Sequence, residues 1–231
     1  MMPIDKRRVP WLQVLVHVGA LLPLAQLVWQ YVQGAFLVDP VLEITTRTGR
    51  LALLLLVLSL ACTPLTTLSG WAGFRRMRRP LGLYAFLYAG LHGLTFVGLD
   101  YRFDLALLGP AILDARYVLV GMAAFLVLLP LALTSTRRWQ RRLGRAWQRL
   151  HRLAYLAGLL AVVHFAWLVK DLRDPLRYGG VLAALFVLRL PPVRRTIRGL
   201  RQRMGALWLQ AGGKARGAED SATADEGQSP S

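Results

Sequence analysis

The chain has 231 residues, 55% of them hydrophobic, and a formal net charge of +17. Its charges are concentrated between long apolar runs rather than interleaved at helix or strand period, which excludes an ordinary soluble domain. Cys62 is the single cysteine, so these residues alone hold neither a disulfide nor an iron–sulfur cluster.

A bilayer span needs about 20 mainly apolar residues, and the apolar runs predict six: Trp11–Tyr31, Leu51–Leu68, Leu81–Leu99, Tyr117–Leu133, Leu150–Val169 and Tyr178–Val193. Residues 1–10 carry Lys6, Arg7 and Arg8 and imitate the start of a signal peptide. No small-residue cleavage site follows, and Trp29 and Tyr31 suit an interfacial belt, so the first run reads as an uncleaved helix. It contains His17, which has no evident partner and reads as a packing or cofactor-edge residue. The third run, LGLYAFLYAGLHGLTFVGL, places His92 in its interior; the fifth opens near His151 and holds His164 in LAYLAGLLAVVHFAWLV. The sixth has an uninterrupted core of only Val181 to Leu188 and is expected to be short, tilted or interfacial. Residues 11–200 thus form one six-span domain. Residues 201–231 are basic and then, from Gly212, small, polar and free of aromatics, the composition of a disordered tail.

The charge alternates between loops. One set holds Lys6 to Arg8, Arg75 to Arg79, Arg137 to Arg149 and the C-terminal arginines; the alternate loops hold fewer cations and most of the acids. This is the positive-inside pattern. It predicts an all-α integral membrane six-helix bundle with both termini cytoplasmic. The +17 is therefore read as topology and attraction to anionic headgroups, not as nucleic-acid binding.

The third and fifth runs are separated by one span and point the same way. His92 lies about eleven residues into the third and His164 about fourteen into the fifth, so at about 1.5 Å per residue they share a depth. Ionisable side chains at that depth are costly and mark functional sites. Two imidazoles from different helices match the two axial positions of a buried haem iron. Each alone is also compatible with a plain interhelical hydrogen bond; the matched depth favours the ligand reading. His151 lies thirteen residues before His164, about 20 Å lower, which suits a second haem towards the cytoplasm. Beside Arg149 and Arg152, a solvated interfacial histidine is an equal reading. Its partner on the third run falls at Arg79 or Arg78, neither a histidine. Arg78 returns to within about 40° of the His92 face, and would pair with a haem propionate or sit over the iron. His151 and His164 diverge by about 140° on an ideal helix, so a lower site needs a bend, or a ligand placed before the helix proper. Ala85 and Ala89 precede His92 by seven and three residues, as Ala157 and Ala161 precede His164. They read either as space for a flat macrocycle or as ordinary helix contact.

No phosphate-cradling glycine loop, no nucleophile–base–acid arrangement and no acid within the spans is present. The chain reads as an electron-transfer subunit loaded by a separate donor, not as a catalytic subunit. The rival readings are a stand-alone ferric or oxygen reductase component and a small non-redox transport or assembly protein whose histidines only pack.

The segments WLQVLVHVGALLPL, DPVLEITTRTGRLAL, RRPLGLYAFLYAGLH, RRLGRAWQRLHRLAY and VVHFAWLVK follow one another over residues 9 to 200. Together they resemble the MsrQ (YedZ) family, haem-binding membrane subunits of protein-methionine-sulfoxide reductase systems, within the ferric-reductase-like transmembrane superfamily. The resemblance implies six helices and one or two b-type haems. It carries iron-ligand roles onto His92, His164 and His151, with Arg78 as the fourth contact. It also implies a periplasmic molybdopterin reductase partner, MsrP, a cytoplasmic flavin reductase or quinol as donor, and a place in the bacterial inner membrane. FMN is associated with the family; the arginine-rich loops are candidates for its phosphate, and no motif fixes a site. Asp100, Arg102 and Asp104 are expected either in the partner's docking face or as solvated loop charge.

Overall fold

A computed structural model describes residues 10–36 and 38–203. The expectations for the basic N-terminus up to residue 9 and for the tail from residue 204 lie outside the described residues.

Helix α1 is Pro10–Val32, α2 is Pro40–Ser69, and α3 is Gly73–Leu94. The Asp39 carboxylate caps α2 by accepting from the Leu42 N–H at 2.9 Å, with Pro40 at the first helical position. Gly70 ends α2 in the left-handed region, φ 76°, where a side chain would be strained. Just beyond His92, α3 widens into a π-helical turn, Thr95–Asp100. Helix α4, Leu105–Asp114, is apolar but ten residues long, too short to cross hydrocarbon. Its cap is Asp104, whose carboxylate accepts from the Ala106 N–H at 2.9 Å. Helix α5 is Arg116–Leu133. The arginine-rich loop that follows is itself helical, as α6, Arg137–Leu143, and α7, Arg145–Leu150, hinged at Gly144 (φ 50°). A 3-10 turn, His151–Leu153, leads into α8, Ala154–Leu168.

Five helical stretches are long and apolar enough to cross a membrane: Trp11–Val32, Pro40–Ser69, Gly73–Asp100, Arg116–Leu133 and Arg145–Leu168. The sixth differs from its expected bounds of Tyr178–Val193. Helix α9 is Arg173–Val187, and the chain then turns by 73° into α10, Pro191–Arg203. The first turn of α9 is charged, with Arg177 bonded to Asp174 at 3.1 Å, so hydropathy conceals it. Together α9 and α10 have the length and composition of a sixth span, bent at the turn between them.

Helix α2 packs along α3 and α5 along α8, while α1 lies on α3 and α9 on α8. Leu56, Leu60, Ala85, Tyr88, Ala157 and Leu182 form the centre of the bundle. Tyr88 is fully buried, and its hydroxyl donates to the Ala20 carbonyl at 2.6 Å, tying α1 to α3. Such an interhelical bond contributes about 1 kcal/mol in a membrane protein. The outward faces are apolar, with Leu15, Leu22, Val28, Leu126 and Leu159 all exposed. Water would not tolerate so continuous an apolar surface; lipid requires it.

Candidate functional site

His92 and His164 meet inside the bundle. Their ring centroids are 6.0 Å apart and their planes cross at 82°. The Nδ1 of His92 donates to the Thr45 carbonyl at 2.9 Å, and the Nδ1 of His164 donates to the Tyr117 carbonyl at 2.6 Å. A carbonyl only accepts, so each Nδ1 carries the ring proton and each Nε2 keeps its lone pair. Metal-ligating imidazoles are held in this way by their second nitrogen. An ion about 2 Å from each ring nitrogen places the two centroids about 6 Å apart, the separation observed. Among the described residues no group of three or more His, Cys, Asp or Glu could hold a metal. Two protein ligands alone suit an iron whose other four positions belong to a macrocycle. The donor set and its geometry therefore fit a bis-imidazole haem.

Two glycines make these hydrogen bonds reachable. A Cβ on Gly49 would lie 3.0 Å from His92 Nδ1, and one on Gly121 would lie 2.7 Å from His164 Nδ1. Neither glycine was singled out by pattern, nor were Thr45 and Tyr117. A signal was present: Thr45, Gly49, Ala85, Ala89 and His92 recur 72 residues later as Tyr117, Gly121, Ala157, Ala161 and His164. The α2–α3 and α5–α8 pairs thus present their histidines through the same local device. Ala85 and Ala157 are covered entirely by protein, which assigns them to helix packing rather than to clearing space for a macrocycle.

At the basic end of the bundle lies a mainly apolar cavity of about 130 Å³. Arg78, Arg79, Ser59, Phe86, Trp147 and His151 are among its lining residues. His151 sits in the 3-10 turn ahead of α8, so the 140° divergence of a continuous helix does not apply, and it faces the cavity with Arg78. Its Nδ1 donates to the Trp147 carbonyl at 3.2 Å, and its ring stacks on Trp147 at 4.0 Å. The Trp147 indole is itself pinned to the Thr134 carbonyl at 2.9 Å. Arg78 is half-buried, and its own carbonyl accepts from Ser59 Oγ at 2.8 Å. The 72-residue offset pairs His151 with Arg79, which is exposed, so of the two arginines Arg78 is the one the bundle encloses. Phe86, on the cavity wall, stacks on Phe125 at 5.3 Å and occupies the layer between this cavity and His92.

Of the remaining candidate residues, His17 and Asp104 have structural partners. His17 shares a 2.8 Å hydrogen bond with the Tyr84 hydroxyl, which supplies the partner its sequence context did not reveal and clasps α1 to α3. Arg102 and Phe103 both have positive φ in the strained turn before α4.

Residues 48–162 match the family described as ferric reductase like transmembrane component. A protein of Xanthomonas axonopodis pv. citri, named protein-methionine-sulfoxide reductase heme-binding subunit MsrQ, is 50% identical over 185 residues, covering 77% of this chain and 85% of that one. Its namesake in Rhodospirillum rubrum is 44% identical over 186 residues, covering 79% and 89%. No solved structure matches significantly.

Proposed function

The chain belongs to the MsrQ family of haem-binding membrane subunits, and on that footing we propose that it is a b-type cytochrome serving a periplasmic molybdopterin methionine sulfoxide reductase, MsrP. Electrons would cross the bacterial inner membrane from a cytoplasmic flavin reductase or the quinone pool, supporting repair of oxidised envelope proteins. The observation that carries this reading is the His92–His164 pair, with both Nδ1–H groups anchored to backbone and both Nε2 lone pairs free.

Haem b, when bound, supplies a one-electron couple whose potential its surroundings tune. His92 and His164 would hold its iron through their Nε2 atoms. The carbonyls of Thr45 and Tyr117 fix each ring's tautomer and orientation and raise the basicity of Nε2. At the basic end, His151 and Arg78 are the residues that would hold a second haem. There the imidazole would turn from the bundle's backbone to the iron, and the guanidinium offers a positive charge for a propionate.

The test uses the reduced full chain in detergent with purified periplasmic reductase and a methionine sulfoxide. The α-band of the reduced haem should disappear when both are added, and persist when either is left out. A reduced spectrum indifferent to the complete mixture would remove the proposed acceptor.

A further inference from the structure

Three buried side-chain atoms find no hydrogen-bond partner among the described residues: Nε of Arg189, Nε of Arg194 and the hydroxyl of Tyr155. They belong to one cluster. Arg189 lies in the turn between α9 and α10, with its guanidinium 4.5 Å from the centre of the Tyr155 ring. Its Nη2 donates to the Leu60 carbonyl at 2.7 Å. Arg78 and Arg194 are both within electrostatic reach of it. The ion pairs found among the described residues, Arg47–Glu43 and Arg177–Asp174, involve none of these three arginines. Like charges brought together in a partly dehydrated setting repel, and buried donors without acceptors are costly. Both costs are relieved by an oxyanion, which accepts from guanidinium groups in paired, charge-assisted bonds.

The surroundings say what carries that oxyanion. Helix α10 leaves α9 at 73° and crosses the basic end of the bundle, where Arg201 donates to the Thr67 carbonyl at 3.3 Å. The cluster therefore sits where a span gives way to the membrane surface. Immediately beside it, Phe186, Val187 and Leu190 turn apolar side chains outward, and Phe186 packs on Tyr155 at 4.5 Å. A ligand with a phosphate head and apolar chains matches both halves. We propose that Arg189, Arg194 and Tyr155 bind the phosphate of an anionic phospholipid, whose chains lie along Phe186, Val187 and Leu190. The lipid would lock the broken sixth span against α8 and offset the charge of Arg189 beside Arg78. Leu60 separates this site from the cavity of Arg78 and His151: it lines that cavity, while its carbonyl faces Arg189.

Native mass spectrometry of the full chain, with phosphatidylglycerol or phosphatidylcholine titrated in detergent, tests the site; the haem spectrum reports folding. Phosphatidylglycerol should be retained in preference. The double variant Arg189→Gln, Arg194→Gln should lower retention at least about tenfold, the effect of losing two charge-assisted bonds. Tyr155→Phe keeps the ring under Arg189 and should lower it several-fold, which carries the test if the double variant does not fold. Arg195→Gln removes the same charge from an exposed neighbour and should leave retention unchanged. Equal loss in Arg195→Gln would reduce the effect to general surface charge and overturn the site. Equal retention of phosphatidylcholine would do the same, and displacement by millimolar inorganic phosphate would assign the arginines to a soluble ligand instead. Loss of haem bands with lipid retained would assign them to the cofactor's carboxylates, again against the proposal.

Discussion

Alanine at His92 or at His164 is expected to weaken haem binding at the pair by more than about 100-fold, because removal of a mere outer-shell partner already costs 10–100-fold in metal affinity. Each imidazole is one of two donors at this point, and among the described residues no group of three or more His, Cys, Asp or Glu gathers to replace one. Haem titration of the purified variants, followed by absorbance, checks the prediction. If each chain binds one haem, the low-spin spectrum disappears; if the cavity of Arg78 and His151 also binds one, half remains. His17→Ala is the comparison, since His17 bonds to Tyr84, away from the pair, and its loss should keep the full spectrum. A His164→Ala protein with full haem and unchanged bands would remove that ligand.

The second large effect is expected at a residue without a side chain. Gly121→Ala places a methyl group 2.7 Å from His164 Nδ1, inside any real contact distance. The ring cannot give way without breaking its 2.6 Å bond to the Tyr117 carbonyl, the bond that aims Nε2 at the iron. Helix propensity pulls the other way, since alanine in place of glycine within a helix stabilises it by up to about 1 kcal/mol. The two effects separate cleanly. Gly121→Ala should fold and yet lose haem by at least tenfold, the outer-shell cost. Gly49→Ala, with its contact at 3.0 Å, should show a milder form of the same defect. Gly19→Ala, where nothing lies within 4 Å, should keep full haem and melt no lower than the parent chain. Haem per chain and melting temperature, measured on all three, decide the matter.

These two predictions differ in how far sequence reasoning reached them. His92 and His164 were legible because an ionisable residue stands out in a charge-free run, and because one intervening span makes the two runs parallel. Gly49 and Thr45 were hidden. The expected second span began at Leu51, since Glu43, Arg47 and Arg50 interrupt the apolar pattern. Yet α2 starts at Pro40, and Arg47 bonds Glu43 at 2.6 Å on its surface. The supporting carbonyl of Thr45 thus lay in what hydropathy treats as loop. Charge concealed α6, α7 and the first turn of α9 in the same way, while α4 was too short to register. The placement of His151 turned on a 3-10 turn that no periodicity announces, though the need for a break was readable from the angle between it and His164. Arg189 and Arg194 looked like two more members of a basic tail; only the fold brings them to Tyr155 and the end of α2.

The central claim is that this chain holds a low-spin b-type haem between His92 and His164. A dithionite-reduced minus oxidised spectrum of the purified full chain, with a pyridine haemochrome assay on the same sample, tests it most directly. The account predicts sharp b-type bands and at least one haem per chain, with a ratio of two if Arg78 and His151 also hold one. A folded chain that shows no haem, even after reconstitution, would contradict it.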